Sequence, residues 1–339
     1  MQVLVTGGGG YIGSILVPRL LKERYKVKVL DRFFFGKETL KEVSKNKNLK
    51  LIQDDIRWFD PKILKNVDVV IDLAALSNDP SGELNPKITF DINHKGRARV
   101  AKLSKENGVE RYILASSCSI YGFRDGNLNE KSPINPLTTY AKANRKAEIS
   151  AKKLADEKFT VTLLRFATVF GFSPRMRFDL AVNGMVLGFF KNKKIPIMRD
   201  GKQWRPFIHI KDVAEAYIDV IKAEKEKING ELFNVGSNNQ NYQILELAKE
   251  VSKAMKIPFK KEWYGDPDTR SYKIDFNKIN RVLGYRTKFG VSEGAREISN
   301  ALKNNKTTDS IQTKTVEWYK YIIEAEKISS SVVLNNRVF

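Results

Sequence analysis

The chain has 339 residues, of which 42% are hydrophobic, and a formal net charge of +21 at pH 7. This length and composition are typical of a globular protein with a large core, arranged as one large domain or two smaller ones. No apolar run approaches the roughly 20 residues that span a bilayer, and a strand predicted from residue 2 argues against a signal peptide. One cysteine and two histidines exclude a disulfide framework, favour a cytoplasmic location and leave no obvious metal cluster.

The strongly basic charge is the first feature that bears on partners. Basic surfaces attract phosphate, and nucleic-acid binding is one interpretation of such a charge. The lysines are scattered, however, as in Lys45-Asn46-Lys47 and 191–194, and no recognised nucleic-acid module accompanies them. We therefore expect neither nucleic acid nor a membrane as partner, and a positive field that favours a diphosphate-bearing small substrate.

The first strand leads directly into a glycine-rich turn that carries Gly7, Gly10 and Gly13. Glycines at this spacing, between an apolar strand and an apolar helix, let backbone N–H groups approach a pyrophosphate at the helix N-terminus. Asp31 ends the next strand, where a carboxylate accepts hydrogen bonds from the adenosine ribose and repels a 2′-phosphate. The pattern predicts an NAD site, although Arg32 beside the acid weakens the preference over NADP.

Strands and helices alternate through the first half of the chain, which is the order of parallel βαβ units. Strands are predicted at 2–6, 27–31, 49–53, 68–73, 111–116 and 160–165. Helices are predicted at about 11–24, 37–46, 60–65, 86–107 and 140–157. Beyond residue 165 the pattern is irregular; the elements predicted there are a helix over 179–190, a strand over 231–236, and helices near 243–255, 277–283 and 291–303.

These elements predict an α/β protein, with a Rossmann-type doubly wound parallel sheet and a smaller mixed α/β C-terminal substrate domain. The predicted NAD-binding domain covers 1–165, with a return segment near 205–236. The substrate-binding domain mainly covers 166–328, and 329–339 form a tail.

Two further segments are expected at the sheet edge that holds the glycine turn. Residues 115–122 end a predicted strand and include Ser117, and residues 139–144 begin a predicted helix and include Tyr140. Ligands of open α/β sheets bind outside the carboxyl ends of the strands. Both segments are therefore expected to face one bound ligand.

Together these residues resemble the extended short-chain dehydrogenase/reductase superfamily, specifically its NAD-dependent epimerase/dehydratase family acting on nucleotide sugars. The resemblance covers nearly the whole chain. The stretches that carry it are 6–13, Asp55-Ile56-Arg57, Leu73-Ala74-Ala75, Asn93, Ser116-Ser117, Tyr121-Gly122, Tyr140 and 205–213. Residues 164–168 and 173–179 look like a subgroup of sugar-nucleotide epimerases.

The resemblance implies an enzyme with NAD as cofactor and a nucleoside-diphosphate sugar as substrate. Tyr140 would remove a proton from a sugar hydroxyl, commonly at C4, with help from Ser117, and re-reduction of the keto sugar would give the epimer. The cofactor-binding residues it implies are Gly7, Gly10, Tyr11, Ile12, Gly13, Asp31, Asp55, Ile56, Leu73, Ala74, Ala75, Asn93, Ser116 and Tyr140. The substrate-binding residues are Ser77, Ser117, Arg177, Asn183, Arg205 and Arg270. A homodimer formed through helices at about 94–107 and 140–157 is also implied.

Asn144 departs from the family pattern, which usually has a lysine four residues after the catalytic tyrosine. Lys142 and Lys146 lie on other faces of the predicted helix. An asparagine can bind ribose hydroxyls but has no charge to lower the tyrosine pKa. Three explanations stay open: a working enzyme with a less acidic Tyr140 that relies on the charge of NAD, an inactive or specialised relative, or a substitution introduced deliberately to trap a complex.

The same residues also bear on reactions and roles other than epimerisation. The 4,6-dehydratases of the family carry an Asp-Glu pair where this chain has Cys118 and Ser119, so dehydration is not expected. A nucleotide-sugar dehydrogenase or ketoreductase with net redox change would use the same catalytic residues and is the first alternative. A catalytically impaired or regulatory NAD-binding relative, suggested by Asn144, is the second.

Overall fold

The computed structural model describes residues 1–266, 270–334 and 337. Its strands are β1 (Gln2–Thr6), β2 (Lys26–Asp31), β3 (Leu49–Gln53), β4 (Val69–Asp72), β5 (Arg111–Ser117), β6 (Phe123–Leu128), β7 (Thr160–Phe166), β8 (Thr168–Phe170), β9 (Ile195–Met198), β10 (Trp204–His209), β11 (Glu231–Val235), β12 (Asn241–Gln243), β13 (Lys261–Tyr264) and β14 (Ser271–Ile274). Its α-helices are α1 (Gly13–Lys22), α2 (Asp79–Glu83), α3 (Pro86–Phe90), α4 (Arg97–Glu106), α5 (Thr139–Lys152), α6 (Ala181–Asn192), α7 (Ile210–Lys222), α8 (Lys225–Ile228), α9 (Ile244–Met255), α10 (Asn277–Leu283), α11 (Val291–Lys303) and α12 (Thr315–Val332).

A seven-stranded parallel sheet organises the fold, in the order β11-β7-β5-β4-β1-β2-β3. From β1 the chain adds β2 and β3 on one side and β4, β5 and β7 on the other. The order therefore reverses between β1 and β4, and such a switch point is where doubly wound sheets bind ligands. This topology confirms the predicted Rossmann-type fold.

The sheet is covered on both faces because its strands are apolar on both faces, as parallel strands generally are. Alternate residues of β1 point to opposite sides. Val3 and Val5 pack in one core with Leu16 of α1 and Val213 of α7, whereas Leu4 packs in another core with helices α4 and α5.

A separate apolar cluster lies in the second half of the chain, where α6, α9 and α11 pack together around residues such as Val186, Leu247 and Ile298. Within the predicted return segment, β11 joins the large sheet, whereas β10 pairs with β8 and β12 in a small one. Helix α7 packs on α1, where Arg19 Nε lies 2.5 Å from Glu215 Oε1. The proposed division into domains stays a prediction.

The helix predicted over 86–107 is interrupted. It consists of α3, a π-helical turn over Asp91–Gly96 and α4. Asn93 lies in the π-helical turn, and its amide binds both backbone groups of Leu76. The irregular turn thus gives Asn93 a position beside the sheet edge, as such turns often do at functional sites.

Several other helices differ from the sequence-based prediction. The segments predicted as helices over 37–46 and 60–65 are short 3₁₀ turns, Glu38–Val43 and Pro61–Leu64. Helices α7 and α12 had not been predicted. Helix α12 extends to Val332, into the predicted tail, of which 335, 336, 338 and 339 lie outside the described residues. Among the described residues, no helix is long and apolar enough to cross a membrane.

Candidate active site

A cleft of about 840 Å³ opens at the carboxyl ends of the central strands, around the switch point between β1 and β4. This volume is at the upper end of the ~300–1,000 Å³ typical of small-molecule sites. The predicted site residues line this cleft, with the exception of Asn93 and Asn183. The fold therefore brings the glycine turn, the Ser117 and Tyr140 pair and the substrate-side arginines into one space.

The glycine turn forms a bare backbone wall of the cleft. A Cβ added at Gly7, whose φ is +68°, would lie 2.8 Å from the Ala74 backbone N, and one at Gly13 would lie 2.4 Å from the Gly8 carbonyl O. Side chains are thus excluded by neighbouring backbone, and helix α1 begins at Gly13. This geometry fits a pyrophosphate, because the unoccupied N–H groups of a helix N-terminus attract anions.

Asp31 lies at the end of β2, on the wall next to the glycine turn. Its carboxylate accepts hydrogen bonds from Gly9 N at 2.9 Å and Phe33 N at 2.6 Å. Burial raises the pKa of Asp31, although these N–H groups oppose the shift. Arg32, the basic neighbour, turns instead towards Asp55, with Nη1 to Oδ2 at 3.4 Å.

Asp55 and Ile56 form the wall beyond Asp31. Burial alone would raise the pKa of Asp55, but hydrogen bonds from Arg57 outweigh it and lower that pKa. Arg57 Nη2 lies 2.8 Å from Asp55 Oδ2. The carboxylate is thus held ionised and fixed at the end of the cleft that Asp31 also faces.

Leu73, Ala74 and Ala75 follow β4 and line the middle of the cleft. Asn93 is fully buried behind them. Its Oδ1 accepts a hydrogen bond from Leu76 N at 2.8 Å, and its Nδ2 donates to Leu76 O at 3.0 Å. In this structure Asn93 therefore supports the wall from behind, and its predicted contact with the cofactor stays a prediction.

Ser117 and Tyr140 meet at the centre of the cleft. Ser117 ends β5, and Tyr140 is the second residue of α5, whose N-cap Thr138 accepts a hydrogen bond from Ala141 N at 3.2 Å. Both residues line the cleft, and the Ser117 hydroxyl lowers the pKa of the Tyr140 phenol. The preceding Ser116 is turned away and donates to Glu148 Oε1 at 2.7 Å.

The environment of Tyr140 leaves its pKa above the usual tyrosine value. Burial has the largest effect and raises the pKa, and the negative charge of Asp79 raises it further. Arg97, the Ser117 hydroxyl and Arg177 lower it. Because only the phenolate can accept a proton, Tyr140 needs further positive charge to act as a base near neutral pH.

Asn144 lies one helical turn after Tyr140 and is almost fully buried, with 1% of its surface exposed. Its Nδ2 donates to the Tyr140 carbonyl O at 3.0 Å, and its Oδ1 accepts from Arg97 Nη1 at 2.7 Å. Arg97 had not been identified from the sequence. It follows His94 and Lys95 and precedes Arg99, and such a basic run is typical of a solvated helix face.

The predicted substrate side of the cleft contains an ion-pair network. Arg177 Nη2 lies 2.8 Å from Asp179 Oδ2, and its Nη1 donates to Ser77 Oγ at 3.1 Å. Asn183 lies behind this network, fully buried. It accepts from Gly171 N at 3.1 Å and donates to Tyr11 Oη at 3.0 Å and Arg177 O at 2.8 Å. These contacts connect Asn183 to protein groups, and its substrate contact stays a prediction.

Arg205 and Arg270 also line the cleft. Arg205 Nη1 donates to Trp204 O at 2.8 Å, and its guanidinium lies 5.1 Å from the centre of the Tyr272 ring. Arg270 forms an ion pair with Asp79, and residues 267–269 immediately before it lie outside the described chain. Two guanidinium groups on one wall suit bidentate contact with a diphosphate.

Cys118 and Ser119 stand at the two positions where a carboxyl acid–base pair was not expected. The Cys118 thiol is buried, donates to Arg165 O at 3.3 Å and has a pKa raised by burial. A buried protonated thiol and a hydroxyl do not form a carboxyl acid–base pair. Within the described ranges, no group of three or more His, Cys, Asp or Glu side chains is placed to hold a metal ion.

The profile of the NAD dependent epimerase/dehydratase family matches residues 3–236. The chain belongs to this family. It is 27% identical over 318 residues to a UDP-glucuronate 4-epimerase of Thermodesulfobacterium geofontis, covering 89% of this chain and 96% of that one. It is 30% identical over 311 residues to UDP-glucuronic acid decarboxylase 4 of Arabidopsis thaliana, covering 87% and 67% of the two chains.

A solved structure gives the same result in three dimensions. UDP-glucuronic acid 4-epimerase from Bacillus cereus, in complex with UDP-glucuronic acid and NAD, superposes with a TM-score of 0.81, at 25% identity over 90% of this chain and all of that one. NAD is the cofactor of this family, and the cleft fits it. The glycine wall leaves room for a pyrophosphate, and the fixed acid Asp31 lies where a ribose would be bound.

Proposed function

We propose that this protein is an NAD-dependent nucleotide-sugar epimerase that inverts a hydroxyl-bearing carbon, most simply C4. The observation that carries the proposal is that Ser117 and Tyr140 line one cleft, where the Ser117 hydroxyl lowers the pKa of the Tyr140 phenol. The same cleft has a dinucleotide cradle at one end and arginines at the other. This arrangement supports a binding mode in which a sugar hydroxyl lies between the proposed base and the cofactor end of the site.

The proposed mechanism assigns the proton to Tyr140. NAD, when bound, supplies the hydride acceptor and donor at the sugar carbon. The Tyr140 Oη takes the hydroxyl proton as the carbon is oxidised to a ketone and gives it back when the ketone is reduced. Ser117 holds the sugar oxygen in both steps, because its hydroxyl both donates and accepts hydrogen bonds.

The substrate side has to hold the nucleotide while the keto sugar turns over. Arg205 and Arg270 supply guanidinium groups for the diphosphate, and Ser77 and Arg177 supply donors for the sugar. Arg270 is paired with Asp79 and Arg177 with Asp179, so these cations are already oriented before substrate enters. Binding through the diphosphate leaves the sugar ring free to present its opposite face.

Other outcomes of the same first oxidation are less well supported. A 4,6-elimination needs an acid and a base next to the catalytic pair, and the corresponding positions are the buried Cys118 and Ser119. A net dehydrogenase would release one NADH for each turnover. One relative at 30% identity is a UDP-glucuronic acid decarboxylase, so the products have to be identified directly.

The direct test is incubation of the purified protein with a panel of nucleotide sugars, including UDP-glucuronic acid and UDP-glucose, without added oxidant or reductant. Products would be identified by NMR and mass spectrometry. We expect interconversion of C4 epimers at constant mass with no accumulation of NADH. Stoichiometric NADH, loss of water or loss of carbon dioxide would contradict the proposal. Bound NAD without any conversion would favour the regulatory alternative.

We also propose that the protein works as a homodimer in the cytoplasm. The homodimer would form through the surfaces of α4 and α5, where Ile149 exposes 41% of its surface. The cytoplasmic proposal is supported by the single, buried cysteine. Light scattering would test the dimer, and Ile149→Glu should shift the protein to a monomer, whereas a monomeric parent would contradict it.

A further inference from the structure

Arg97 is a buried arginine whose side chain reaches the catalytic cleft. It is the first residue of α4 and exposes 1% of its surface. Its Nη1 donates to Asn144 Oδ1 at 2.7 Å, and its Nη2 donates to Asp72 O at 3.0 Å and to Ala115 O. The guanidinium is therefore fixed between β4, β5 and Asn144 in the second turn of α5, and it lines the same cleft as Tyr140.

The charge of Arg97 is balanced only loosely. Its Nε lies 3.6 Å from Asp72 Oδ2, longer than a hydrogen bond, and has no hydrogen-bond partner among the described residues. The Asp72 carboxylate is shared with two other donors, since it accepts from Thr6 Oγ1 at 2.6 Å and Tyr112 Oη at 2.5 Å. Part of the positive field of Arg97 is thus available to the cleft.

Asn144 and Arg97 are chemically matched. A guanidinium has only donors, so it selects the carbonyl oxygen of the Asn144 amide, and the amide nitrogen is left to bind the Tyr140 carbonyl. A lysine ammonium at position 144 also has only donors and could not accept this bond. It would place a second cation against a buried one.

We propose that Arg97 is a positioning residue for Tyr140, which fixes Asn144 and supplies, from α4, the cation that related enzymes carry on α5 at position 144. The proposal rests on the proposed function, in which Tyr140 is the base. It explains how a chain with asparagine at this position keeps a positive charge beside the phenol. The charge is relocated from one helix to another.

The groups around Tyr140 come from every element packed against it. Asp79 and Glu83 lie on α2, and Glu83 binds the backbone N and hydroxyl of Thr139. Arg177 lies in the segment before α6 and is paired with Asp179. Tyr217 faces from α7. Burial and Asp79 raise the pKa of Tyr140, and among the groups that lower it Arg97 has the largest effect.

The test compares Arg97→Gln with the charge-relocating double variant Arg97→Gln/Asn144→Lys, both as NAD-loaded protein. The acid limb of kcat/KM reports the ionisation of the base. We expect Arg97→Gln to move this limb upward by about one pH unit, which is a tenfold change in the acid dissociation constant of the base. The double variant should move the limb back. Arg99→Gln is the matched control, since Arg99 lies on the same helix and donates to Phe59 O at 3.0 Å instead; its limb should not move.

A second measurement separates this proposal from the proposed function. Ultraviolet titration of tyrosinate, taken as the difference between each protein and its Tyr140→Phe counterpart, follows the phenol without any substrate. The same upward shift in Arg97→Gln and reversal in the double variant are expected even if no sugar is turned over. An unchanged Tyr140 titration in a folded Arg97→Gln, or no reversal by Asn144→Lys, would overturn the proposal.

Arg97→Lys keeps the test decisive if Arg97→Gln does not fold. This variant retains a cation for Asp72. It loses the planar guanidinium, whose two terminal nitrogens donate to Asn144 and to the backbone carbonyls. We expect the Tyr140 ionisation to stay near that of the parent while kcat falls several-fold. A shift as large as the one expected for Arg97→Gln would contradict a role for charge.

Discussion

Tyr140 is the residue on which the proposed mechanism depends. Its phenol lines the cleft together with Ser117 and contributes nothing to the glycine cradle. We expect Tyr140→Phe to lower kcat by about 10² to 10⁴, the usual contribution of a general base, and to leave the dissociation constant of NAD within about twofold. Steady-state kinetics and calorimetric titration with NAD measure the two effects. A variant with full activity would remove Tyr140 from the mechanism.

Residue types with strong local signatures could be predicted from the sequence. Gly7 and Gly13 follow from the backbone approach that the turn requires, and the roles of Ser117 and Tyr140 from the resemblance to the epimerase/dehydratase family. Arg97 could not be predicted, because nothing in a basic helical run shows which side chain is buried. Asn183 was recognised as important, but only the structure places it behind the wall, bound to Tyr11.

The turn between β1 and α1 has no room for an added methyl group at Gly13. A Cβ at Gly13 would lie 2.4 Å from the Gly8 carbonyl O, so the turn has to open and its N–H groups lose their alignment. We expect Gly13→Ala to weaken NAD binding at least tenfold. Gly108→Asn is the control, since Gly108 has a φ of +75° and nothing within 4 Å of an added Cβ, and asparagine tolerates that backbone.

Measured by calorimetry with NAD, the control should bind like the parent. Equal affinity of Gly13→Ala and the parent would show that the turn does not hold the pyrophosphate. An equal loss in both variants would point to a general loss of folded protein.

A buried ion pair connects α5 to β7 and so fixes the helix that carries Tyr140. Arg165 Nη2 lies 2.7 Å from Glu148 Oε2, and both side chains are almost completely buried. Burial alone would raise the pKa of Glu148, but Arg165 outweighs it and lowers that pKa. We expect Glu148→Gln to cost about 3 to 5 kcal/mol, because a buried guanidinium loses its counter-charge.

The sign of the pH dependence follows from the lowered pKa. The pair stabilises the fold fully above the pKa of an unfolded glutamate, about 4.3, and this stabilisation is lost as the pH falls through the folded-state value. Denaturant unfolding at pH 7 and pH 4 should therefore show a smaller difference between parent and variant at pH 4. Glu106→Gln, at an exposed pair with Lys102, should change stability by less than about 1 kcal/mol at either pH.

Strands and helices could be predicted where the hydrophobic periodicity and the residues at their ends indicate the same boundaries. Elsewhere the prediction was less successful. The strands of the large sheet were located to within a residue or two, because they are short apolar runs between turn residues. Helix α7 was missed although Ile210, Val213 and Tyr217 have helical spacing. The π-helical turn around Asn93 depends on its bonds to Leu76, a contact between distant segments that no local pattern encodes.

At the scale of the whole molecule, the C-terminal helix returns to the adenosine end of the cleft. Trp318 Nε1 on α12 donates to Phe34 O at 2.7 Å, and Tyr319 packs against Phe34 and Phe35. Because Phe34 and Tyr319 line the cleft, we expect Trp318→Ala to weaken NAD binding about fivefold, the value of one lost hydrogen bond near 1 kcal/mol. Fluorescence titration with NAD measures this effect.

The control for that change lies on the same helix. Ile328 exposes 57% of its surface, and Ile328→Ala should leave NAD affinity unchanged. If Trp318→Ala also binds NAD like the parent, α12 is not part of the cofactor site. The sequence could not reveal this contact, since it joins residues 284 positions apart.

The proposed reaction is a reversible oxidation in which the hydrogen removed from the sugar carbon returns to the same molecule. The most direct test uses a nucleotide sugar from the substrate panel, carrying deuterium at C4, with the purified NAD-loaded protein and no added cofactor. We predict that the C4 epimer forms with the deuterium retained at C4 and with no net NADH. Loss of the deuterium to solvent, or its release as reduced cofactor, would contradict the account.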